Sequence, residues 1–178
     1  MNLVGENRVD ACGKVDILGV QWGIVGDYGE MLLTGTFTRA VDQKGRIAIP
    51  KSIRAAMDLS KGGGIYVAPG TDESLALYTE EAFAQLAERL SGVSPTRQDV
   101  RTFNRLFYAR AQRVQIDRQG RVRIPPELAA LAGLEKDVVL LGVQDHLELW
   151  PAKRWDAYLA ERQTNYDEIA EAAFGLDG

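Results

Sequence analysis

Residues 42 to 50 read Asp-Gln-Lys-Gly-Arg-Ile-Ala-Ile-Pro, and residues 117 to 125 read Asp-Arg-Gln-Gly-Arg-Val-Arg-Ile-Pro. The two stretches lie 75 residues apart and agree at five positions. The agreement continues downstream after the second copy loses three residues, so that Leu75-Ala-Leu-Tyr78 corresponds to Leu147-Glu-Leu-Trp150 and Phe83 corresponds to Trp155. A match held over that length indicates a duplicated structural unit. Two copies are too few for a solenoid, so we expect a pseudo-symmetric pair. The identical positions are Asp42/Asp117, Gly45/Gly120, Arg46/Arg121, Ile49/Ile124 and Pro50/Pro125.

Each copy carries the residues of a β-hairpin. In the first copy, Thr36–Val41 alternates and contains β-branched and aromatic residues, as strands prefer. Asp42 and Gly45 are turn residues, because a carboxylate can accept from turn amides and glycine tolerates positive φ. The stretch Arg46–Ile49 then alternates again before Pro50. Because side chains alternate along a strand, one face of this hairpin is predicted to be basic and the other apolar.

The rest of each copy predicts one short helix, two further strands and one longer helix. Pro50 and Pro125 stand where a helix begins, a position that tolerates the missing N–H. Ile53/Met57 and Leu128/Leu131 are expected to be the buried stripes of the two short helices. The resulting order is ββαββα, which makes the chain an α+β protein of two packed halves. The later elements are strands at 65–67, 74–78, 138–141 and 146–150, and helices at about 79–91, 95–111 and 151–163.

This hairpin resembles the SpoVT/AbrB-type DNA-binding domain. Two tandem copies, each with Asp-x-x-x-Arg (Asp42…Arg46 and Asp117…Arg121) and a helix after the fourth strand, are similar to the MraZ family. That family consists of bacterial transcriptional regulators encoded with cell-division and cell-wall genes. The resemblance covers roughly residues 31–165 and includes Leu33-Thr-Gly-Thr-Phe37 as the opening. It implies a swapped-hairpin or double-psi-like barrel arrangement for the two halves.

We predict five segments from these patterns. Residues 1–30 form an extension, expected to be disordered or upstream of the natural start. Residues 31–79 form the first SpoVT/AbrB-like domain, and residues 80–110 the connecting helices. Residues 111–154 form the second domain, and residues 155–178 a C-terminal helix and tail.

The charge of the chain is unevenly distributed. The 178 residues have a formal net charge of −4 and a pI near 5.1. Between Arg39 and Arg54, however, five basic residues face the single acid Asp42, and between Arg113 and Arg123 four face Asp117. Binding to phosphate depends on the local field, within about 10 Å at moderate salt. The average acidity therefore does not argue against a nucleic-acid partner.

Arg46 and Arg121 are the candidate base-reading residues, since a guanidinium can bind guanine O6 and N7 in the major groove. The alternative interpretation pairs them with Asp42 and Asp117, and both can hold, because an aspartate can orient an arginine. Other basic residues are expected to contact phosphates. Arg123 stands out among them because its counterpart is the uncharged Ala48. The predicted phosphate contacts are Arg39, Lys44, Lys51, Arg54, Arg113, Arg118 and Arg123.

The sequence offers little for catalysis or for metal binding. His146 is the only histidine and is expected to have a structural or surface role, and Cys12, the only cysteine, excludes an intramolecular disulfide. No nucleophile–base set, metal cluster or cofactor motif is visible, so we expect no enzyme, no cofactor, no metal and no small-molecule substrate. No apolar run approaches the ~18 residues of a membrane span. Trp150, Trp155, Tyr78 and Phe83 are expected to pack in the core or at an interface rather than stack on bases.

The resemblance implies a cytoplasmic, nucleoid-associated regulator whose partners are double-stranded promoter DNA and further copies of itself. It implies ring-like homo-oligomers on short direct repeats in the promoter of their own division and cell-wall operon. Repression is the expected output, because a multivalent complex over a promoter excludes polymerase. The alternative is a protein-interaction or antitoxin-like module of the same fold with weak DNA binding.

Overall fold

The computed structural model describes residues 32–59, 63–92 and 96–175, and the backbone of two short strands before them. These strands, β1 (Asp16–Ile17) and β2 (Val20–Gln21), pair antiparallel. The rest of the predicted extension 1–30, including Cys12, lies outside the described residues. Residues 1–31 form one unit and residues 32–178 another. The second unit contains both copies of the duplicated sequence.

The predicted ββαββα order is confirmed twice. The first copy consists of β3 (Thr36–Ala40), β4 (Arg46–Ala48), α1 (Lys51–Ala56), β5 (Gly64–Pro69), β6 (Leu75–Thr79) and α2 (Glu80–Ser91). Helix α3 (Gln98–Tyr108) connects the copies. The second copy consists of β7 (Gln112–Gln115), β8 (Arg121–Arg123), α4 (Pro126–Leu131), β9 (Asp137–Val143), β10 (His146–Pro151) and α5 (Ala152–Arg162). A 3₁₀ turn at Gln163–Asn165 leads into α6 (Tyr166–Phe174).

The two copies exchange strands. One antiparallel sheet runs in the order β3-β9-β10-β6-β5-β7, and β4 pairs separately with β8. Strand β3 therefore joins a strand of the second copy, and β7 joins a strand of the first. The expectation that β3 and β4 pair with each other as a local hairpin is wrong, although the exchange agrees with the swapped-hairpin arrangement that the resemblance implies. Within the described residues, the six-stranded ladder ends at β3 and β7 and does not close.

Burial explains the exchange. A unit of about 50 residues buries a smaller share of its surface and is marginally stable alone, whereas two exchanged units share one interior. That interior contains side chains from both copies at 0–1% exposure. The largest of them are Leu33, Ile47, Ile65, Leu75, Leu77, Leu128, Leu140, Leu147 and Leu149.

The short helices bury the expected stripe with one difference. Ile53 and Met57 of the first copy are 4% and 5% exposed, and Leu128 of the second is 1% exposed. Leu131, however, is 44% exposed, and Ala132 at 0% takes the buried position instead. Ala132 lies four residues after Leu128, as Met57 lies four residues after Ile53, so the helical repeat selects it.

The matching aromatic residues pack against one another, with Tyr78 and Trp150 buried and Phe83 and Trp155 partly buried. Trp150 is 3% exposed and lies edge-on to Trp155, with ring centroids 5.6 Å apart. Phe83 stacks on Tyr66 at 4.2 Å and lies tilted against Tyr78 at 5.9 Å. None of the helices in the described residues is both long enough and apolar enough to cross a membrane.

Candidate nucleic-acid interface

The exchanged strands β4 and β8 form a two-stranded ribbon with one buried and one outward face. Ile47 lies opposite Val122 in the register, and both side chains are fully buried. On the outward face, Arg46 lies opposite Arg123 and Ala48 lies opposite Arg121. The predicted division into an apolar and a basic face is confirmed, but the basic face is built jointly by both copies.

The first turn fixes Asp42 with both of its oxygens. Asp42 Oδ1 accepts from the backbone N–H groups of Lys44 at 2.8 Å and Arg46 at 3.0 Å. Asp42 Oδ2 accepts from Arg46 Nε at 2.8 Å and lies 2.7 Å from Arg46 Nη2. One aspartate therefore shapes the turn and orients the arginine that follows it.

The second turn repeats this geometry. Asp117 Oδ1 accepts from the backbone N–H groups of Gln119 and Arg121, both at 2.9 Å. Asp117 Oδ2 accepts from Arg121 Nε at 2.9 Å and lies 2.8 Å from Arg121 Nη2. The alternative interpretation, pairing of aspartate with arginine, is thus realised in both copies.

The two pairs meet across the ribbon. Arg46 Nη1 lies 3.8 Å from Asp117 Oδ2, and Arg121 Nη1 lies 3.9 Å from Asp42 Oδ2. Charges of opposite sign therefore alternate around a cluster of four side chains, which we call the Asp–Arg cluster. The arginine side chains keep 25% and 27% of their surface exposed. The cluster therefore places two oriented guanidinium groups, still partly open, on the outward face.

The turns also hold each other. Ile49 N–H donates to Gly120 O and Ile124 N–H donates to Gly45 O, both at 2.9 Å. Gly45 and Gly120 have φ values of +71° and +76°, a region that favours glycine because a Cβ is strained there. Each turn is therefore bound to the strand end of the other copy, which holds the two halves of the cluster together.

The arginines lower the pKa values of their partners. Hydrogen bonds from the Arg46 side chain and then from its backbone lower the pKa of Asp42 from 3.8 to about 2. The backbone N–H and then the guanidinium of Arg121 lower the pKa of Asp117. Because the folded-state pKa of Asp42 lies below the unfolded one, its stabilising contribution is present above pH 3.8. That contribution is lost as the pH falls through about 2.

We therefore expect Asp42 to remain ionised at about pH 3. Titration of the Asp42 carboxyl carbon by NMR should give a midpoint near pH 2. In Arg46→Ala the midpoint should move up toward 3.8, because the strongest donor is gone. A midpoint near 3.8 in the unaltered protein would contradict the pairing geometry.

Of the remaining predicted phosphate contacts, some side chains are exposed and others are bound to groups of the protein. Lys44, Lys51, Arg118 and Arg123 are exposed, and none forms an ion pair with another residue in the described part of the chain. Arg113 instead donates from Nε to Glu80 Oε1 at 2.9 Å and from Nη2 at 2.6 Å. Arg113 is therefore less available to a phosphate than its sequence position suggests.

Arg39 and Arg54 are bound to backbone carbonyls. Arg39 Nε donates to Ala48 O at 3.1 Å, and its Nη1 donates to Thr38 O at 2.8 Å. Arg54 Nε donates to Ile49 O at 3.2 Å. These two arginines therefore support the ribbon end that carries Ala48.

A recess beside the ribbon was not expected from the motif. It has a volume of about 360 Å³ and lies between the first turn and α4. A difference between the two copies could have predicted the recess. Ala129 is the counterpart of Arg54 in the first copy, and its short side chain leaves space there. Its lining residues are Val41, Gln43, Lys44, Gly45, Arg123, Ile124, Pro126, Ala129 and Leu134.

His146 has a structural environment, as expected. Its Nδ1 lies 2.7 Å from Asp145 Oδ1, and Asp145 Oδ2 accepts from Arg89 Nη2 of α2 at 3.0 Å. Burial by itself lowers the pKa of His146, but hydrogen bonds with Glu148 and Asp145 outweigh it and raise the pKa above 6.5. Asp145 thus joins the His146 imidazole to Arg89 in a helix of the other copy.

The chain matches one family model in both of its halves. Residues 32–106 and 107–177 each match the family described as "MraZ protein, putative antitoxin-like". The chain is also similar to curated proteins, each named Transcriptional regulator MraZ. The relative from Thermomicrobium roseum is 41% identical over 126 residues, which cover 71% of this chain and 86% of that protein. The relative from Finegoldia magna is 36% identical over 137 residues, which cover 77% and 93%.

A third relative, from Limosilactobacillus reuteri, is 39% identical over 140 residues, which cover 79% of this chain and 96% of that protein. The role in these names, regulation of transcription, is not an enzymatic one, in agreement with the prediction that the chain is not an enzyme. The two family-model matches coincide with the duplicated halves, and each includes one Asp-x-x-x-Arg turn. This chain therefore belongs to the MraZ family.

Proposed function

We propose that this protein is a transcriptional regulator that binds promoter DNA in a sequence-specific manner through the outward face of the β4–β8 ribbon. The Asp–Arg cluster is the observation that carries the proposal. It places Arg46 and Arg121 side by side on one exposed face, each oriented by its own aspartate. Basic residues predominate on this ribbon although the chain as a whole is acidic.

The geometry suits recognition in the major groove, which is wide enough to admit a two-stranded β-ribbon. Asp42 and Asp117 occupy Nε and Nη2 of the arginines, and the Nη1 groups lie 3.8–3.9 Å from the nearest opposite carboxylate, too far for a hydrogen bond. Each Nη1 group is thus left to donate to a base acceptor such as guanine O6 or N7. An arginine fixed in advance loses less conformational entropy on binding.

Neighbouring cations would fix the position of the ribbon on the duplex without reading sequence. Lys44, Lys51 and Arg118 are exposed and able to reach phosphates. Because few such contacts are available to one chain, affinity should depend on several chains binding together. Direct repeats about one helical turn apart, ~10 bp, would present the same DNA face to successive chains.

Exposed apolar side chains support assembly into homo-oligomers, for which we propose a ring. Phe103 and Leu106 of α3 are 47% and 51% exposed beside a surface depression of about 650 Å³. Ile169 and Phe174 of α6 are 45% and 79% exposed. Such surfaces commonly mark interfaces. An oligomer covering its own promoter would exclude polymerase, so we propose repression of the division and cell-wall operon, in the cytoplasm at the nucleoid.

The decisive experiment is a titration of labelled DNA from upstream of the chain's own reading frame, followed by fluorescence anisotropy at several salt concentrations. Specific binding should exceed binding to a shuffled duplex by at least about 10³-fold, the lower end for specific regulators. Equal affinity for the two duplexes would defeat the proposal. Light scattering on the same sample tests the ring.

Lys51→Ala gives the signature of a phosphate contact. Lys51 is the exposed first residue of α1 and lies off the ribbon face. Its loss should weaken binding equally on specific and shuffled DNA and reduce the salt slope by about 1. Selective loss on the specific duplex would instead place Lys51 against a base.

The same apolar faces favour the second candidate, an antitoxin-like interaction module, which agrees with the wording of the family description. In that case the exposed sides of α3 and α6 bind a different protein and DNA binding is weak. Salt-sensitive binding without preference for the upstream duplex, combined with a monomer in solution, would favour this module.

A further inference from the structure

A pseudo-two-fold axis through the Ile47–Val122 pair relates the two strands of the ribbon. It exchanges Arg46 with Arg121, whose environments are nearly identical. It also exchanges Ala48 with Arg123, so a methyl group on one strand corresponds to a charged guanidinium on the other. A symmetric ribbon would read an inverted pair of half-sites, so this difference breaks the symmetry of any sequence that the ribbon reads.

At the end of the ribbon that carries Arg123, two cations other than the Asp42-bound Arg46 have no ion-pair partner among the described residues. Arg123 and Lys44 line the recess of about 360 Å³, and both are exposed. Neither forms an ion pair with another described residue. The recess exists because Ala129 stands where the other copy has Arg54. Arg123 therefore has open space beside it and no carboxylate among the described residues to hold it.

At the opposite end the corresponding space is filled and the guanidinium groups are occupied. Arg54 lies so close over the second turn that a Cβ on Gly120 would come within 2.6 Å of it, whereas a Cβ on Gly45 would meet only Ile124 O at 3.8 Å. Arg54 and Arg39 donate to carbonyls of Ile49 and Ala48. Each turn also has one exposed cation, Lys44 in the first and Arg118 in the second. The main difference in exposed charge between the two copies therefore lies on the strands and not in the turns.

We propose that Arg123 reads a base pair at one end of the site only, and thereby gives the DNA-binding face a direction. This inference rests on the proposed function and moves Arg123 from the phosphate contacts to the specificity-determining residues. Arg123 lies on the same outward face as Arg46 and directly opposite it, so a groove that receives one side chain also receives the other. The chemistry of a free guanidinium favours guanine, through O6 and N7, at that position.

The test is selection of binding sites from a random duplex library by the full chain. The unaltered protein should select a non-palindromic motif, with one specified base pair on one side that has no mirror counterpart. Arg123→Ala should lower the preference at that base pair by about 5- to 150-fold and leave the central base pairs unchanged. Ala48→Arg should create a preference at the mirror position and make the motif more nearly palindromic.

Lys51→Ala is the control for a phosphate contact: it should weaken binding to all sequences alike and leave the selected motif unchanged. Both ribbon positions are exposed, so circular dichroism should show an unaltered fold. If Arg123→Ala instead weakens all sequences alike and reduces the salt slope by about 1, Arg123 is a phosphate contact and the inference is overturned. If the unaltered protein selects no motif at all, the proposed function fails, and the inference fails with it.

Discussion

Arg46→Ala combined with Arg121→Ala should reduce specific DNA binding by about 30-fold to 10⁴-fold, because each lost base contact is worth about 1–3 kcal/mol. The structure adds a second cause, because the variant leaves Asp42 and Asp117 on the outward face without their cations. Two uncompensated carboxylates then face the phosphate backbone, so affinity for non-specific DNA should fall as well. Fluorescence anisotropy with the upstream and shuffled duplexes measures both effects.

Asp42→Asn with Asp117→Asn is the informative control. It keeps both arginines and removes two negative charges, so binding to shuffled DNA should become stronger. Specific binding should gain less, because the guanidinium groups are no longer held in one orientation. The ratio of specific to non-specific affinity should therefore fall while the net charge of the ribbon becomes more positive.

A purely structural role for the Asp–Arg cluster makes the opposite prediction. In that case the double arginine variant loses stability in urea unfolding but keeps its preference for the upstream duplex. Unchanged promoter binding in that variant would remove Arg46 and Arg121 from the base-reading residues.

Ile47→Ala should destabilise the fold by about 2–5 kcal/mol, the range for truncating a buried isoleucine. Ile47 is fully buried under the ribbon, opposite Val122, which is also fully buried. Since small proteins have only about 5–15 kcal/mol of net stability, this one substitution removes a large part of it. Urea denaturation followed by circular dichroism measures the change.

The neighbouring position provides the control. Ala48 lies on the outward face of the same strand, and Ala48→Ser should change stability by no more than about 0.5 kcal/mol. Similar losses for the two variants would mean that the inner and outward faces of the ribbon are not as distinct as the structure has them.

The duplication and the element order were predictable, because turn chemistry and alternation are local. Asp42, Gly45 and the Ile47/Ile49 alternation determine a turn and a two-faced strand wherever that strand pairs. The partner of the strand was not predictable in this way. Pairing of β4 with β8 depends on which arrangement buries Ile47 and Val122 together, and that is a property of the whole chain.

In the candidate site, too, local features were predictable from the sequence and long-range contacts were not. The residue types of the Asp–Arg cluster were visible in the repeat. Besides Arg54, the predicted contacts are Arg39, Asp42, Lys44, Arg46, Lys51, Arg113, Asp117, Arg118, Arg121 and Arg123. The sequence did not show which of these side chains are free to contact DNA. Arg113, for example, pairs with Glu80, 33 residues away in the chain. The cross-copy distances of 3.8 and 3.9 Å likewise require the strand exchange.

The strand exchange also determines when the protein can fold during its synthesis. Thr36 pairs with Leu141, more than one hundred residues later, so β3 has no partner until β9 has left the ribosome. At about 5–20 residues per second, the nascent first copy waits for roughly 5–20 s with its strand edges unsatisfied. Unpaired edges promote aggregation, and distant pairings slow folding. Slower translation between these strands should therefore lower the yield of native protein, whereas slower translation after Pro151 should not.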